Sequence, residues 1–443
     1  MKNVLLVTSF FPPAIGAGAV RMMKFAKFLP EFGWNPLVLT VPATQPAGDA
    51  SLDNNACVYR AAFPSPDPLF ALGRRLLPRR TIKQPPNVAD MTEKEKTFLG
   101  RSQFLSSWFL VPDELAMWVP FAVGLGLRIA REHGVEGIVS SSPVQSCHLV
   151  AWALSKWLGC AWVADLRDPW VTNPFFLYPT RLHREINTIL ERIVITHAHY
   201  VVTVSEVLRD DLVARYPTLD AGKFQLIPNG FDPDDFVDSL PLSISNRDDS
   251  VRIVHSGILF YEGKDPFPFL QAVKSLAGEQ GLKDVEIHFA GVPVDKFEPV
   301  IQGMGLSRIV KLTNLVPYKK GLEHVLNADI LLLISGPGRG VLTTKVFEYL
   351  AAFKPILALT PSEGALADLL RQANVAEIVD PDSPQAIADG LRKLIGQART
   401  GYRLAPNREF IQQFSRRNQT RLLVECLDDA AKDCASPRQI SVD

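Results

Sequence analysis

Ile330-Leu331-Leu332-Leu333-Ile334-Ser335-Gly336-Pro337-Gly338-Arg339-Gly340-Val341-Leu342-Thr343-Thr344-Lys345-Val346-Phe347-Glu348-Tyr349-Leu350-Ala351-Ala352 changes its hydrophobic period in the middle. Its first five residues form an unbroken apolar run, the signature of a strand sealed on both faces. A glycine-rich loop follows, and Thr343-Thr344 then supply hydroxyls suited to capping a helix. A helix start of this kind presents free backbone N–H groups and the positive end of the helix dipole. With Lys345 in the first turn it suits a diphosphate. Glu348, one turn further on, is placed to accept hydrogen bonds from ribose hydroxyls, as acidic residues do in dinucleotide sites. The plain alternative is an ordinary capped helix with a solvated Glu.

The same grammar opens the chain. Residues 4–9 are a β-branched apolar run, and Phe10-Phe11-Pro12-Pro13-Ala14-Ile15-Gly16-Ala17-Gly18-Ala19 leads into a helical pattern with Met22, Phe25, Ala26 and Leu29 on one face. Gly33 supplies a helix stop, and residues 36–40 read as the next strand. Strands at 137–140, 161–165 and 200–204, with helices at 148–158 and 206–216, complete one Rossmann-like half. A second set of strands follows at 251–255, 285–290, 309–312, 330–334, 356–359 and 376–379. The expected fold is therefore α/β with two doubly wound parallel sheets. The expected division is an N-terminal domain over 1–232, a polar linker over 233–250, a C-terminal domain over 251–407 and a last helical segment over 408–435. Residues 64–113 are Pro-rich and basic, and read as an insertion rather than sheet core.

Composition limits the partners. Lys plus Arg and Asp plus Glu both number 47 in 443 residues, so no global field draws the chain onto nucleic acid. No apolar run has the length of a membrane span, and residues 1–4 enter a strand pattern at once, so neither a span nor a signal peptide is read. Cys57, Cys147, Cys160, Cys426 and Cys434 are scattered without metal or redox spacing, which favours a reducing cytoplasm.

The run Thr344-Lys345-Val346-Phe347-Glu348-Tyr349-Leu350-Ala351, followed by Lys354-Pro355-Ile356-Leu357, resembles the donor-site motif of retaining glycosyltransferases of the "group 1" or family-four kind. Further matching stretches are residues 10–21, Pro112-Asp113 with Trp118, Ser141-Ser142-Pro143, Ala164-Asp165-Leu166-Arg167-Asp168-Pro169-Trp170, Val204-Ser205-Glu206, Ile227-Pro228-Asn229-Gly230-Phe231-Asp232 and Phe414-Ser415-Arg416-Arg417. Their order covers nearly the whole chain. The resemblance implies the GT-B architecture, two Rossmann-like domains facing across a cleft, with a last helix crossing back to the first.

It also implies site roles. Gly16 and Gly18 face the donor phosphates, Val316 and Tyr318 touch the base, Thr343 and Thr344 donate N–H groups to the diphosphate, and Glu348 binds the ribose. Where the family carries a Glu eight positions before the ribose Glu, this chain has Gly340, and Ser140-Ser141-Ser142 stand where a His precedes the proline. The nearest histidine is His148. The family's Arg and Lys after the first strand of the second half meet Gly257-Ile258-Leu259-Phe260-Tyr261-Glu262-Gly263-Lys264-Asp265-Pro266 here, leaving Gly257 as a donor contact and Lys264 as the cation for the leaving diphosphate.

Asp165, Arg167 and Asp168 follow a strand at the carboxyl edge, where a carboxylate can orient an acceptor hydroxyl; equally, Arg167 and Asp168 can be a structural ion pair. His148 lies on an apolar helix face, where a core role competes with a catalytic one. The expectation is a glycosyltransferase using a nucleotide diphosphate sugar and a glycan or lipid-linked acceptor, with Lys264, Asp168 and His148 as catalytic candidates. No cofactor or metal is expected, because helix N-termini and lysine neutralise the diphosphate and no ligand cluster is present. The basic segment 69–80 is a candidate contact with the inner membrane face. A noncatalytic sugar-nucleotide scaffold and a GT-B epimerase are the competing readings.

Overall fold

The structure is a computed structural model that describes residues 1–12, 17–42, 56–63, 110–173, 178–238, 250–257, 259, 265–278, 282–335, 342, 344–401 and 405–435. The chain divides into two compact units, one of residues 1–227 with 420–443 and the other of residues 228–419.

The first unit holds a parallel sheet of β1 (Lys2–Thr8), β2 (Trp34–Thr40), β3 (Cys57–Arg60), β4 (Val135–Ser141), β5 (Ala161–Leu166), β6 (Tyr200–Thr203) and β7 (Phe224–Leu226), in the order β3-β2-β1-β4-β5-β6-β7. Side chains alternate across it, and both faces are sealed. Leu5, Val7, Leu37 and Leu39 join one core cluster, while Val4, Leu6 and Val38 join the other with Met22 and Phe25 of the Ala17–Phe28 helix. The chain winds one way from β1 to β3 and then resumes at β4 on the other side of β1, so the order reverses there. Neither β3 nor β7 was expected from the sequence. Both are short, and β3 lies at the sheet edge with half of its residues exposed, so it lacks a sealed strand's apolar run.

The second unit repeats the plan with β8 (Val251–Ser256), β9 (Val285–Ala290), β10 (Val310–Thr313), β11 (Ile330–Ile334), β12 (Ile356–Leu359) and β13 (Ala376–Val379), ordered β10-β9-β8-β11-β12-β13 and all parallel. Here the reversal lies between β8 and β11. Ile330, Leu332 and Ile334 face one core cluster and Leu331 and Leu333 the other, as a run of five apolar residues requires.

Three expected boundaries move. The break between units falls after Ile227, five residues before the expected end at 232, because Phe231 is tied into the second unit: its N–H donates to Phe414 O at 3.1 Å and its carbonyl accepts from Arg416 N at 2.7 Å. The start of the expected linker is the helix Pro233–Asp238, led by Asp232, whose Oδ1 accepts from Asp234 N; residues 239–249 lie outside the described residues. The return to the first unit begins at residue 420 rather than 408, since Ile411 is fully buried in a core cluster of the second unit and Phe414 packs on Phe347. From there Leu423, Val424 and Leu427 pack into the first unit's core. Most of the basic insertion also lies outside the described residues.

The juncture of 228–231 with 414–416 leaves no space at Gly230. A Cβ built there would stand 1.9 Å from Phe414 O and 2.2 Å from Gln419 Nε2, and the first of these is backbone that no rotamer change relieves. Gly230→Ala is therefore expected to lower stability by about 3 kcal/mol, the upper end for overpacking. Urea unfolding of wild type and variant measures this, and an unchanged midpoint would show that the juncture yields without strain.

Candidate functional site

In the second unit, the helix Thr344–Ala352 starts beyond the carboxyl end of β11, at the reversal beside β8. Its position is set by Tyr349, which has no exposed surface. The Tyr349 hydroxyl accepts from Ser256 N at 2.8 Å and donates to Leu332 O at 3.4 Å, so one phenol joins the helix to both strands. Burial pushes that phenol's pKa up, and it stays a neutral donor and acceptor.

Around this anchor the structure brings together several expected site residues. Lys345 Nζ lies 2.8 Å from Glu348 Oε2, and the Glu348 side chain is only 12% exposed. Gly257 directly follows β8 with φ 152°, a conformation that favours glycine, and its Cβ position lies at ordinary contact distance, 3.7 Å, from Lys345 Cγ. Tyr318 opens the helix Tyr318–Asn327 and donates to Asp235 Oδ2 at 3.2 Å. Its phenol is pushed up by burial and then by the negative charges of Glu348 and Asp235. Val316 is half-buried two residues before it, and Thr344 is the first residue of its helix. Gly16, Lys264, Gly340 and Thr343 lie outside the described residues. Tyr349 and Asp235 were missed as site-forming residues. The signal for Tyr349 was present, because a tyrosine on a buried helix face must find a partner for its hydroxyl.

The first unit carries a charged cluster at the carboxyl ends of β1, β4 and β5. Asp165 and Arg21 are both fully buried and make a two-point pair, with Arg21 Nε 3.0 Å from Oδ2 and Nη2 2.9 Å from Oδ1. Ser141 Oγ donates to Oδ2 at 2.8 Å, and Arg21 Nη2 also donates to Ile227 O at 2.9 Å. Burial alone raises the Asp165 carboxyl, but the Arg21 guanidinium and these hydrogen bonds outweigh it and hold the pKa below 3.8. Asp165, rather than Asp168, thus carries the structural ion pair, with Arg21 as its partner. Asp168 instead has its pKa pushed up by burial, with Arg167 pulling the other way. Gly18 lies in the first turn of the Ala17–Phe28 helix, against the Arg167 guanidinium.

His148 is fully buried. Its Nδ1 lies 2.8 Å from Ser140 Oγ, which accepts from Trp162 Nε1 at 2.8 Å, and its ring stacks on Trp170 at 6.4 Å. Among the described residues, Nε2 has no hydrogen-bond partner. Burial pushes the His148 pKa down to about 4, against the opposing pull of Asp165, so the ring is neutral at neutral pH. Asp113, noted in the sequence as part of a matching stretch but without a role, accepts from Ser146 N at 2.9 Å and Ser146 Oγ at 2.7 Å and caps the Ser146–Leu158 helix that carries His148.

Residues 18–235 match the family described as Glycosyltransferase Family 4. This segment belongs to glycosyltransferase family 4. The family 4 segment includes the buried Arg21–Asp165 pair, Asp113, His148, Arg167 and Asp168. Across the whole chain the fold is GT-B, with two Rossmann-like units. It is similar to sucrose-phosphate synthase from Thermosynechococcus elongatus, at 14% identity over 98% of this chain and 100% of that one, with a TM-score of 0.62. Anabaena Alr3699/HepE in complex with UDP has a TM-score of 0.59 at 14% identity, covering 97% and 100% of the two chains. The trehalose 6-phosphate synthase of Burkholderia multivorans has a TM-score of 0.61 at 15% identity, covering 98% and 100%. No curated protein sequence matches the chain. Among the described residues, no helix is long and apolar enough to cross a membrane, and no group of three or more His, Cys, Asp and Glu is arranged to hold a metal ion.

His148 makes the stability of the first unit depend on pH. Folded, the ring resists protonation down to about 4; unfolded, it takes a proton near 6.5. The unfolded state therefore binds more protons between these values, and stability is lost as pH falls through this window, by about 3 kcal/mol in total. His148→Gln removes this contribution. The stability gap between wild type and variant should shrink as urea unfolding is repeated from pH 7.5 to 5, and a constant gap would rule out a buried neutral ring.

Proposed function

We propose that the chain is a retaining glycosyltransferase that moves a hexosyl group from a nucleotide diphosphate sugar to a glycan or lipid-linked glycan, with the donor on the second unit and the acceptor on the first. The observation that carries this reading is the start of the Thr344–Ala352 helix at the carboxyl edge of the second sheet, with Lys345 and Glu348 beside Gly257 and Tyr318. The backbone N–H groups at the start of the Thr344–Ala352 helix and the Lys345 charge meet the diphosphate. Glu348 accepts from the ribose hydroxyls, and the Val316 to Tyr318 edge supports the base. The similar Anabaena protein was solved with UDP, with UDP and glucose and with UDP-glucose, which favours a uridine donor as the first to test.

Departure of the sugar leaves a diphosphate whose charge grows as the bond breaks. A fixed cation and helix N–H groups stabilise that charge, and Lys264, with Lys345, takes the cationic part. This reading routes no step through a metal. On the first unit Asp168 orients the acceptor hydroxyl and accepts its proton; a carboxyl whose pKa is raised by burial is better matched to that task than an ordinary surface one. His148 is assigned to holding Ser140 and Trp170 rather than to proton transfer, because the ring is sealed and neutral.

Binding of UDP-glucose at about 100 times its dissociation constant should stabilise the chain by about 2.7 kcal/mol. Glu348→Ala should abolish that thermal shift, read against the variant's own unliganded melting temperature, because the largely buried side chain also pairs with Lys345. Retention of the full shift in the variant would remove the ribose assignment and the donor site with it. Binding without transfer across a broad acceptor panel would favour a noncatalytic sugar-nucleotide protein.

A further inference from the structure

The loop that leaves β5 is held at its far end by two polar side chains of the helix Arg181–His197. Asn187 and Glu191 lie one turn apart on one face of that helix, and both are buried. Asn187 Oδ1 accepts from Trp170 Nε1 at 2.9 Å while its Nδ2 donates to His183 O at 2.9 Å, so both ends of the amide are used. Glu191 Oε2 accepts from Val171 N at 3.0 Å, and Oε1 accepts from the Tyr216 hydroxyl at 2.8 Å and from Arg215 Nη1. Arg215 Nε also donates to Asp211 Oδ2 at 3.0 Å, the atom that accepts from Thr172 Oγ1 at 3.2 Å. The indole of Trp170, the backbone of Val171 and the hydroxyl of Thr172 are thus tied to the helices Arg181–His197 and Glu206–Arg215.

Apolar residues would fill positions 187 and 191 at lower cost, because a buried carboxylate or amide must recover its desolvation through hydrogen bonds. What the polar pair adds is geometry. Only Arg167, Asp168 and Pro169 separate Leu166, the last residue of β5, from Trp170. Pro169 locks its own φ and confines Asp168 to extended backbone. A span this short, fixed at both ends, leaves the Asp168 carboxyl little freedom of position. Trp170 is sealed whereas Asp168 is half-buried, so the anchor is closed off while the aspartate keeps exposed surface. We propose that Asn187 and Glu191 are positioning residues for the transfer: by gripping Trp170 and Val171 they aim the Asp168 carboxyl at the acceptor hydroxyl. The inference rests on the reading that gives Asp168 the acceptor's proton. Neither residue touches substrate; each acts through the loop and Asp168.

The direct test needs no substrate. The full chain is labelled with ¹³C at its aspartate carboxyl carbons and titrated by NMR, and the signal that disappears in Asp168→Asn belongs to Asp168. Its wild-type midpoint should lie above the ordinary aspartate value, because burial, opposed by Arg167 and aided by Asp165, raises it. In folded Asn187→Ala and Glu191→Ala chains the loop is released and the midpoint should move back toward the ordinary value. Glu191→Gln keeps an acceptor for Val171 N and should stay closest to wild type. If the alanine variants do not fold, Thr172→Val removes a single bond of the network and should shift the midpoint in the same direction. A wild-type midpoint in whichever of these variants folds would overturn the proposal.

Kinetics separates loss of positioning from failure of the Asp168 assignment. In UDP release from UDP-glucose with water as acceptor, Asn187→Ala should lower kcat about tenfold or more while donor KM holds, and should cost nothing further in an Asp168→Asn background. Losses that multiply in the double variant would overturn the positioning role. If Asp168→Asn releases UDP at the wild-type rate while the NMR midpoints shift as expected, the loop is held by Asn187 and Glu191 but the proton assignment to Asp168 fails, and the role in transfer fails with it.

Discussion

A strand covered on both faces has one place to present polar groups, and that is its end. Val4 to Val7 of β1 and Ile330 to Leu332 of β11 have no exposed surface, and every residue of β5 is buried. Polar side chains that could serve a ligand are thereby directed to the strand ends, and each sheet reverses its order at one of them, where adjacent connections leave in opposite directions. All the described site candidates except Val316, Tyr318 and His148 sit directly at or just beyond a strand end or on the helix that follows one of the two reversal strands. Tyr318 begins the helix after β10, and His148 lies in the first turn of the helix after β4.

The two edges meet the cost of buried polarity in different ways. In the second unit the anchor is neutral: the Tyr349 hydroxyl satisfies Ser256 N and reaches Leu332 O, which fixes the helix without burying a charge. In the first unit the anchor is an ion pair with no exposed surface on either side chain. Such a pair gains little net stability over apolar residues, because desolvation offsets the Coulomb attraction. Its value is geometric. Arg21 bonds Asp165 and the carbonyl of Ile227, so one guanidinium holds the first helix, the end of β5 and the last residue before the second unit in register.

Much of this was legible in the sequence because the period changed where the structure changed. The apolar run at 330–334 and the threonines after the glycine loop predicted a strand and helix that are found at Ile330–Ile334 and Thr344–Ala352. β3 and β7 were not legible, since short strands beyond the sealed centre carry no such run. The boundary near 232 was misplaced because polarity was read as a linker, whereas the backbone of Phe231 pairs with a segment almost two hundred residues away in sequence, a contact no local pattern records. The Arg21–Asp165 pair was hidden for the same reason. A charged residue at the end of an apolar strand announces that it needs a partner, but not which arginine supplies it.

Burial acts in opposite senses on the two titratable groups considered for catalysis in the first unit. It disfavours the charged form of each, which lowers the pKa of His148 to about 4 and raises that of Asp168. The same environment thus makes the histidine a poorer base and the carboxylate a stronger one. His148 is further committed through Ser140 to the indole of Trp162, so rotating its ring toward a substrate would break a chain of buried hydrogen bonds. Asp168 has no such commitment and stands next to a guanidinium that favours its ionised form. Desolvation and connectivity together separate the two groups: the histidine is tied into the edge, and the aspartate is the one that the proposed reading has take the acceptor's proton.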